Sequence, residues 1–181
     1  MELSIRLASH DDVPLLHEVM EDSILELQRD FLSPEQIEAS RLFMGLDTRL
    51  IDDGTYYVVE IGGAIAGCGG WSRRATLYGS DYTPGRSDRL LDPALEPARV
   101  RAMYTNPDFA RRGVGRMILD ECERAAAAEG FHFLELAGTL SGEPLYAAYG
   151  FTEVERLVDS RGGVPVPIVR MQKPLERRPT R

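Results

Sequence analysis

Cysteine is scarce in this chain: Cys68 and Cys122 are the only two. They supply neither a disulfide framework nor a metal-binding spacing, so a stapled fold and a structural metal site are both excluded. No stretch approaches the roughly 18 apolar residues of a membrane helix, and no membrane association is expected. The opening MELSIRLASHDD has no basic region followed by an apolar run, so no secretory leader is expected and a cytoplasmic location follows. Positive charge is not in excess either, the formal net charge being −8. Long-range attraction to nucleic acid is therefore not expected. What is present is ordinary for a globular protein, with 43% hydrophobic and 28% charged residues over 181 positions. The length favours one domain, drawn here as 1–173, followed by a loose tail over 174–181.

Periodicity divides the chain into alternating elements. Leu3, Ile5 and Leu7 alternate with polar residues as a half-buried first strand. A helix follows, capped by Ser9 or Asp11 and running to about Arg29. Ser33-Pro34-Glu35-Gln36 is a capping box with proline at the first helical position, and predicts a second helix to about Met44. Tyr56–Ile61 and 64–73 read as a hairpin around Gly62-Gly63. The glycines of the returning strand mark a bulge or a close approach by a ligand. Residues 74–97 form a long irregular segment, either a cover over a site or a mobile surface insertion. Strands are expected over 99–105, 131–136, 151–157 and 164–171, with helices over 113–130 and 143–149. Pro165 and Pro167 suit an edge position for the last strand. This order predicts an α/β fold, a mixed sheet with helices on both faces.

The chemistry concentrates in Ala98–Gly130, ARVRAMYTNPDFARRGVGRMILDECERAAAAEG. A strand runs into a short loop and then into a helix opened by Gly113 and Gly115. The first amide N–H groups of a helix lack internal acceptors, and the helix dipole adds partial positive charge there. Arg111, Arg112 and Arg116 add full charges, and the glycines admit a ligand to the backbone. Together they form an anion site suited to a phosphate or pyrophosphate. The Gly-Lys-Ser/Thr ending of a P-loop is absent, and the dinucleotide spacing would need glycine at Ile118.

NPDFARRGVGRMILDECERAAAAEG resembles the acetyl-CoA-binding motif of the GCN5-related N-acetyltransferases, with Ala110 at its usual Gln/Arg position. Tyr146-Ala147-Ala148-Tyr149-Gly150-Phe151 is similar to the family's second signature. The resemblance implies a mixed, mostly antiparallel central sheet of the acyl-CoA N-acyltransferase type. It implies acetyl-CoA as cosubstrate, with Arg111, Arg112, Gly113, Val114, Gly115 and Arg116 at the pyrophosphate. Met103, Tyr104 and Thr105 would pair with the pantetheine arm where the strand splays. The implied reaction is direct acetyl transfer to an amine on a small molecule or peptide, with Tyr146 as the general acid and Tyr149 as its rival by spacing. No metal is required, and a homodimer through the last strands is compatible with the pattern.

The general base is not given by the motifs. Family members often carry a glutamate where this chain has Arg101, leaving Glu60, Glu135 and Asp88 as substitutes. Cys68 with a histidine base has no supporting local signature, and a buried structural cysteine is expected. Trp71 either lines the acceptor pocket or fills the core. The competing function class is a non-catalytic acyl-CoA-binding or sensing module.

Overall fold

Strand β2 (Tyr56–Ile61) is apolar on both faces, which is the mark of a strand covered on both sides. Tyr57, Val59 and Ile61 join one core, and Tyr56 and Val58 join another. The computed structural model, which describes residues 1–176, shows why: β2 lies inside a seven-stranded sheet with helices on each face. The other strands are β1 (Leu3–Leu7), β3 (Ala64–Ser72), β4 (Ala98–Thr105), β5 (Phe133–Gly138), β6 (Thr152–Asp159) and β7 (Val166–Pro174). The spatial order is β1-β2-β3-β4-β5-β7-β6, and every pairing is antiparallel except β4 with β5. The mixed, mostly antiparallel α/β sheet expected from the sequence is the one observed.

Helix α4 (Val114–Ala128) buries Val114, Ile118, Leu119, Cys122 and Ala126 against β2, β3 and β4. These positions recur at helical spacing and leave the charged side to solvent. Helix α5 (Glu143–Tyr149) packs beside α4. The opposite face carries α1 (Val13–Glu26) and α2 (Pro34–Ser40), whose Leu16, Met20 and Ile37 form the second core. The α2 start is as expected: Ser33 Oγ accepts from the Gln36 amide at 3.1 Å, and Gln36 Oε1 accepts from the Ser33 amide at 2.9 Å. The helix stops at Ser40 rather than Met44. There the Ser40 hydroxyl donates back to the Ile37 carbonyl at 2.6 Å, an alternative to continuing the ladder. A short α3 (Thr48–Asp52), capped by Asp47, occupies a stretch where no element is expected from the sequence.

The last strand departs from its expected edge position, since β7 lies between β5 and β6. Its prolines are tolerated for a local reason. β5 pairs with β7 only from Val169 onward, so Pro167 faces β6 on one side and no strand on the other. β7 continues through Pro174, which pairs with Phe133, and the Leu175 amide donates to the His132 carbonyl at 2.8 Å. Of the tail drawn from 174, residues 177–181 lie outside the described residues.

Candidate active site

The central strand β4 carries a bulge. Cys68 pairs with Tyr104 but Gly70 pairs with Arg101, so β4 holds one residue more than β3 in this interval. Ala102 sits there with φ 50, an uncommon value for a side-chain-bearing residue, and its carbonyl accepts from the Tyr56 hydroxyl at 2.7 Å. The extra residue changes which face the side chains meet. Ala98 and Val100 pack toward α4, whereas Tyr104 packs toward α1 and α2. The β3 glycines, read as marks of a bulge or of ligand approach, lie beside this bulge, and neighbouring atoms occupy the space of their missing side chains. A Cβ on Gly67 would fall 2.5 Å from Val114, and one on Gly70 would fall 2.1 Å from the Thr55 carbonyl oxygen.

Beyond the bulge the sheet forks. β4 and β5 pair only at Ala98↔Leu134 and Arg99↔Glu135, then diverge. The outer edge of β4 still bonds β3 through Tyr104 and Thr105, so its other edge faces an opening. That opening is the floor of a cleft of about 830 Å³. Met103, Tyr104 and Thr105 line it, together with Arg111, Gly113, Val114, Gly115, Arg116 and Tyr146. The cleft therefore gathers, apart from Arg112, the residues expected at the pyrophosphate and the pantetheine arm together with the expected acid. The Arg112 guanidinium lies 5.6 Å over the Phe109 ring instead. Tyr149 also lines the cleft, but its hydroxyl is engaged with Asp120 at 2.8 Å and Glu123 at 2.9 Å.

One end of the cleft is built for an anion. Arg111 (φ 62) and Gly113 (φ 84) turn the chain so that α4 begins at the cleft wall, and no side chain caps that beginning. The first-turn amides of α4 are thus without intrahelical acceptors. A Cβ on Gly113 would meet nothing within 4 Å, so a group could lie directly against the backbone there. Arg116 is held 5.6 Å over the Tyr149 ring at the same mouth. These residues fit a pyrophosphate.

Tyr146 is part of the cleft wall. Its ring packs edge-on to Phe151, with centroids 5.9 Å apart, and Gly138 and Gly142 give it room. Only 7% of the residue is exposed, and its hydroxyl, without a hydrogen-bond partner among the described residues, opens into the cleft. Burial raises its pKa well above the ordinary phenol value. The proton is therefore retained at neutral pH.

The rest of the lining mixes apolar and polar side chains. Leu27, Phe31, Phe43, Met44, Leu77 and Tyr78 stand beside buried Ser23 and Gln28 and exposed Glu26 and Asp30. The segment 74–97 supplies part of this wall and is stitched down. Thr83 Oγ1 donates to the Leu42 carbonyl at 2.8 Å, the Asp81 amide to the Leu46 carbonyl at 3.0 Å, and the Tyr78 hydroxyl to Asp159 at 2.9 Å. Buried Arg101 ties the layers together. It donates to Asp47 at 3.0 Å and to the Gly79 carbonyl at 2.6 Å, and Asp47 also pairs with Arg86 at 2.9 Å. Gly45 completes the contact by donating its amide to the Tyr104 hydroxyl at 2.8 Å.

The carboxylates raised as possible bases are committed elsewhere. Glu60 pairs with Arg6, Asp88 with Arg49, and Glu135 is clamped between Arg99 and Arg170. None of the three lines the cleft. Cys68 is buried against Tyr56, and desolvation pushes its thiol up to about 12, so it is no nucleophile. Trp71 fills the core, 6.0 Å edge-on from Phe131, and does not reach the cleft. Sequence reasoning missed the apolar wall and the Arg101–Asp47 strut, because both join segments distant along the chain.

No sequence among functionally curated proteins matches this chain. Solved structures match over nearly its full length. A GCN5-related N-acetyltransferase from Rhodopseudomonas palustris superposes with a TM-score of 0.70 at 21% identity, covering 97% of this chain and 99% of that one. An N-acetyltransferase from Thermoplasma acidophilum, solved with coenzyme A, gives 0.63 at 16% identity over 96% and 99%. A putative acetyltransferase from Salmonella typhimurium, solved with acetyl-CoA, gives 0.64 at 16% identity over 98% and 96%. The model of the acetyltransferase (GNAT) domain matches residues 52–153, from the turn before β2 into β6, and so spans the bulge, the fork, the uncapped α4 start and Tyr146. The chain belongs to the GNAT acetyltransferase family.

Proposed function

We propose that this chain transfers an acetyl group from acetyl-CoA directly to an amine, with Tyr146 as the general acid. The observation that carries the proposal is the Tyr146 hydroxyl, which has no hydrogen-bond partner among the described residues and opens into the same cleft as the uncapped start of α4 and the free edge of β4. Acetyl-CoA is the cosubstrate. The α4 amides with Arg111 and Arg116 receive its pyrophosphate, and Met103, Tyr104 and Thr105 offer strand-like backbone partners to its arm.

The amine nitrogen attacks the thioester carbonyl, the C–N bond forms and the C–S bond breaks. Tyr146 gives its proton to the departing sulfur and regains one from the nitrogen through solvent. A buried phenol is a reluctant acid. The same desolvation raises the proton affinity of a thiolate beside it, so the transfer remains matched.

Tyr146→Phe tests the assignment. The hydroxyl makes no hydrogen bond among the described residues, so stability and CoA affinity should hold. Turnover in a thiol-release assay should fall by about 10²- to 10⁴-fold, the usual contribution of a general acid. Turnover at the parent rate would remove Tyr146 from the chemistry. Binding of acetyl-CoA without turnover on any amine would favour the sensing module instead.

A further inference from the structure

The acceptor end of the cleft differs from its CoA end in one chemical respect: apolar side chains dominate it, with the neutral Ser23 and Gln28 among them, and it offers no buried base. Among the described lining residues, the carboxylates are Glu26 and Asp30, both exposed at the rim. Glu26 pairs with Arg29 at 3.0 Å. The remaining charged and titratable groups facing the cleft are Arg101, held by Asp47, Arg111 and Arg116 at the CoA end, and Tyr78, Tyr104, Tyr146 and Tyr149. The Tyr78 hydroxyl donates to Asp159, and burial holds Tyr104 and Tyr146 in their protonated forms. No lining side chain is an imidazole. A strongly basic amine arrives as its ammonium ion and has no lone pair until something removes a proton. A cation would also enter a slot walled by Leu27, Phe43 and Leu77, where desolvation disfavours it.

Resting on the acetyl-transfer reading above, we infer that the acceptor is a weakly basic amine on a flat apolar body, an arylamine being the simplest form, which reaches the thioester already uncharged. Phe31 stands 46% exposed at the rim, and Phe43 packs edge-on to Tyr78 with centroids 5.6 Å apart. These rings form an aromatic entrance suited to an aryl group. The Arg101 strut fixes Gly79, and with it the neighbouring wall residues Leu77 and Tyr78, across from Phe43 and Met44. The reaction then balances without an enzyme base. The amine lone pair forms the C–N bond, the thiolate leaves and takes the Tyr146 proton, and the surplus nitrogen proton returns through solvent to Tyr146.

The test compares 4-methylaniline with 4-methylbenzylamine, which differ by one methylene between ring and nitrogen. With the arylamine, kcat/KM should be flat between pH 6.5 and 9. With the benzylamine it should climb about tenfold per pH unit over the same range, following the uncharged fraction of the amine itself. Calorimetry on the CoA-saturated protein should show 4-methylaniline binding, weakened at least tenfold in Phe31→Ala with CoA affinity unchanged. A benzylamine profile that levels off below pH 8, and loses that plateau in Glu26→Gln or Asp30→Asn, would overturn the inference and leave acetyl transfer standing. Preference for a polyamine such as spermidine would do the same. Absence of turnover on every amine, with CoA still bound, would overturn the acetyl-transfer reading itself.

Discussion

Replacing Arg101 by methionine removes one strut from under the cleft wall at Gly79, and its cost can be worked from the contacts. Arg101 and Asp47 expose only 3% and 4% of their side chains, so the pair is fully buried. Breaking such a pair from one side costs about 3–5 kcal/mol, because the other charge stays behind uncompensated. Two contacts pull the value down: Asp47 keeps Arg86 at 2.9 Å and the Arg49 amide at 3.0 Å. One pushes it up, since the Gly79 carbonyl loses its 2.6 Å donor. A loss of about 3 kcal/mol follows, or roughly 6–12 °C in Tm for a chain of this size. Urea denaturation should show the midpoint falling with little change in slope. The Arg101→Met, Asp47→Asn double variant should lose clearly less than the sum of the two single changes, as coupled partners do. A single-variant loss below about 1 kcal/mol would refute the buried-strut argument. The acceptor KM should rise while affinity for CoA holds, because the strut touches the wall formed by Gly79 and not the α4 start.

Three further outcomes follow from the packing. Gly70→Ala places a Cβ 2.1 Å from the Thr55 carbonyl oxygen, a backbone atom that cannot swing away, so soluble folded protein should be lost; a normal melting curve would contradict the contact. Gly113→Val forces a β-branched residue to φ 84 in open space, so it should cost about 1–2 kcal/mol through strain. CoA affinity, followed by calorimetry, should fall at least tenfold; unchanged affinity would place the pyrophosphate elsewhere. Asp12 is held down to about 2 chiefly by the Arg6 guanidinium, which bonds both its oxygens at 2.8 Å. Its folded pKa lies below the unfolded value, so the pair stabilises above about pH 4 and the effect fades as pH falls toward 2. Arg6 is partly exposed and screened, so Arg6→Gln should remove about 1 kcal/mol at pH 7 and almost nothing at pH 2 by urea titration.

Local chemistry was the legible part of the fold. The capping box at Ser33, the hairpin at Gly62-Gly63 and the α4 periodicity each depend on residues a few positions apart, and each was found where expected. Errors arose where distant partners decide. The strand after α4 begins at Phe133, not Phe131, because the Phe131 ring is drawn into the core against Trp71. The Ala102 bulge has no signature, since an alanine there reads as any strand residue. Strict alternation would have put Tyr104 on the α4 face with Val100. The proposed CoA half of the site was readable because backbone amides and glycines form it within one loop. The proposed acceptor half is assembled from residues 23–31, 43–45 and 77–79, which only the fold brings together.

The short seam between β4 and β5 has a mechanical meaning. With pairing only at Ala98 and Arg99, the sheet is two blades, β1–β4 and β5–β7, sharing a narrow joint. A ligand lying in the fork and bonding the free edge of β4 acts as a splint across that joint. Its binding energy then enters the cohesion of the whole molecule, by RT ln(1 + [L]/Kd). The amides on either side of the fork should exchange with solvent as separate units in the free protein and slow together once the splint is in place.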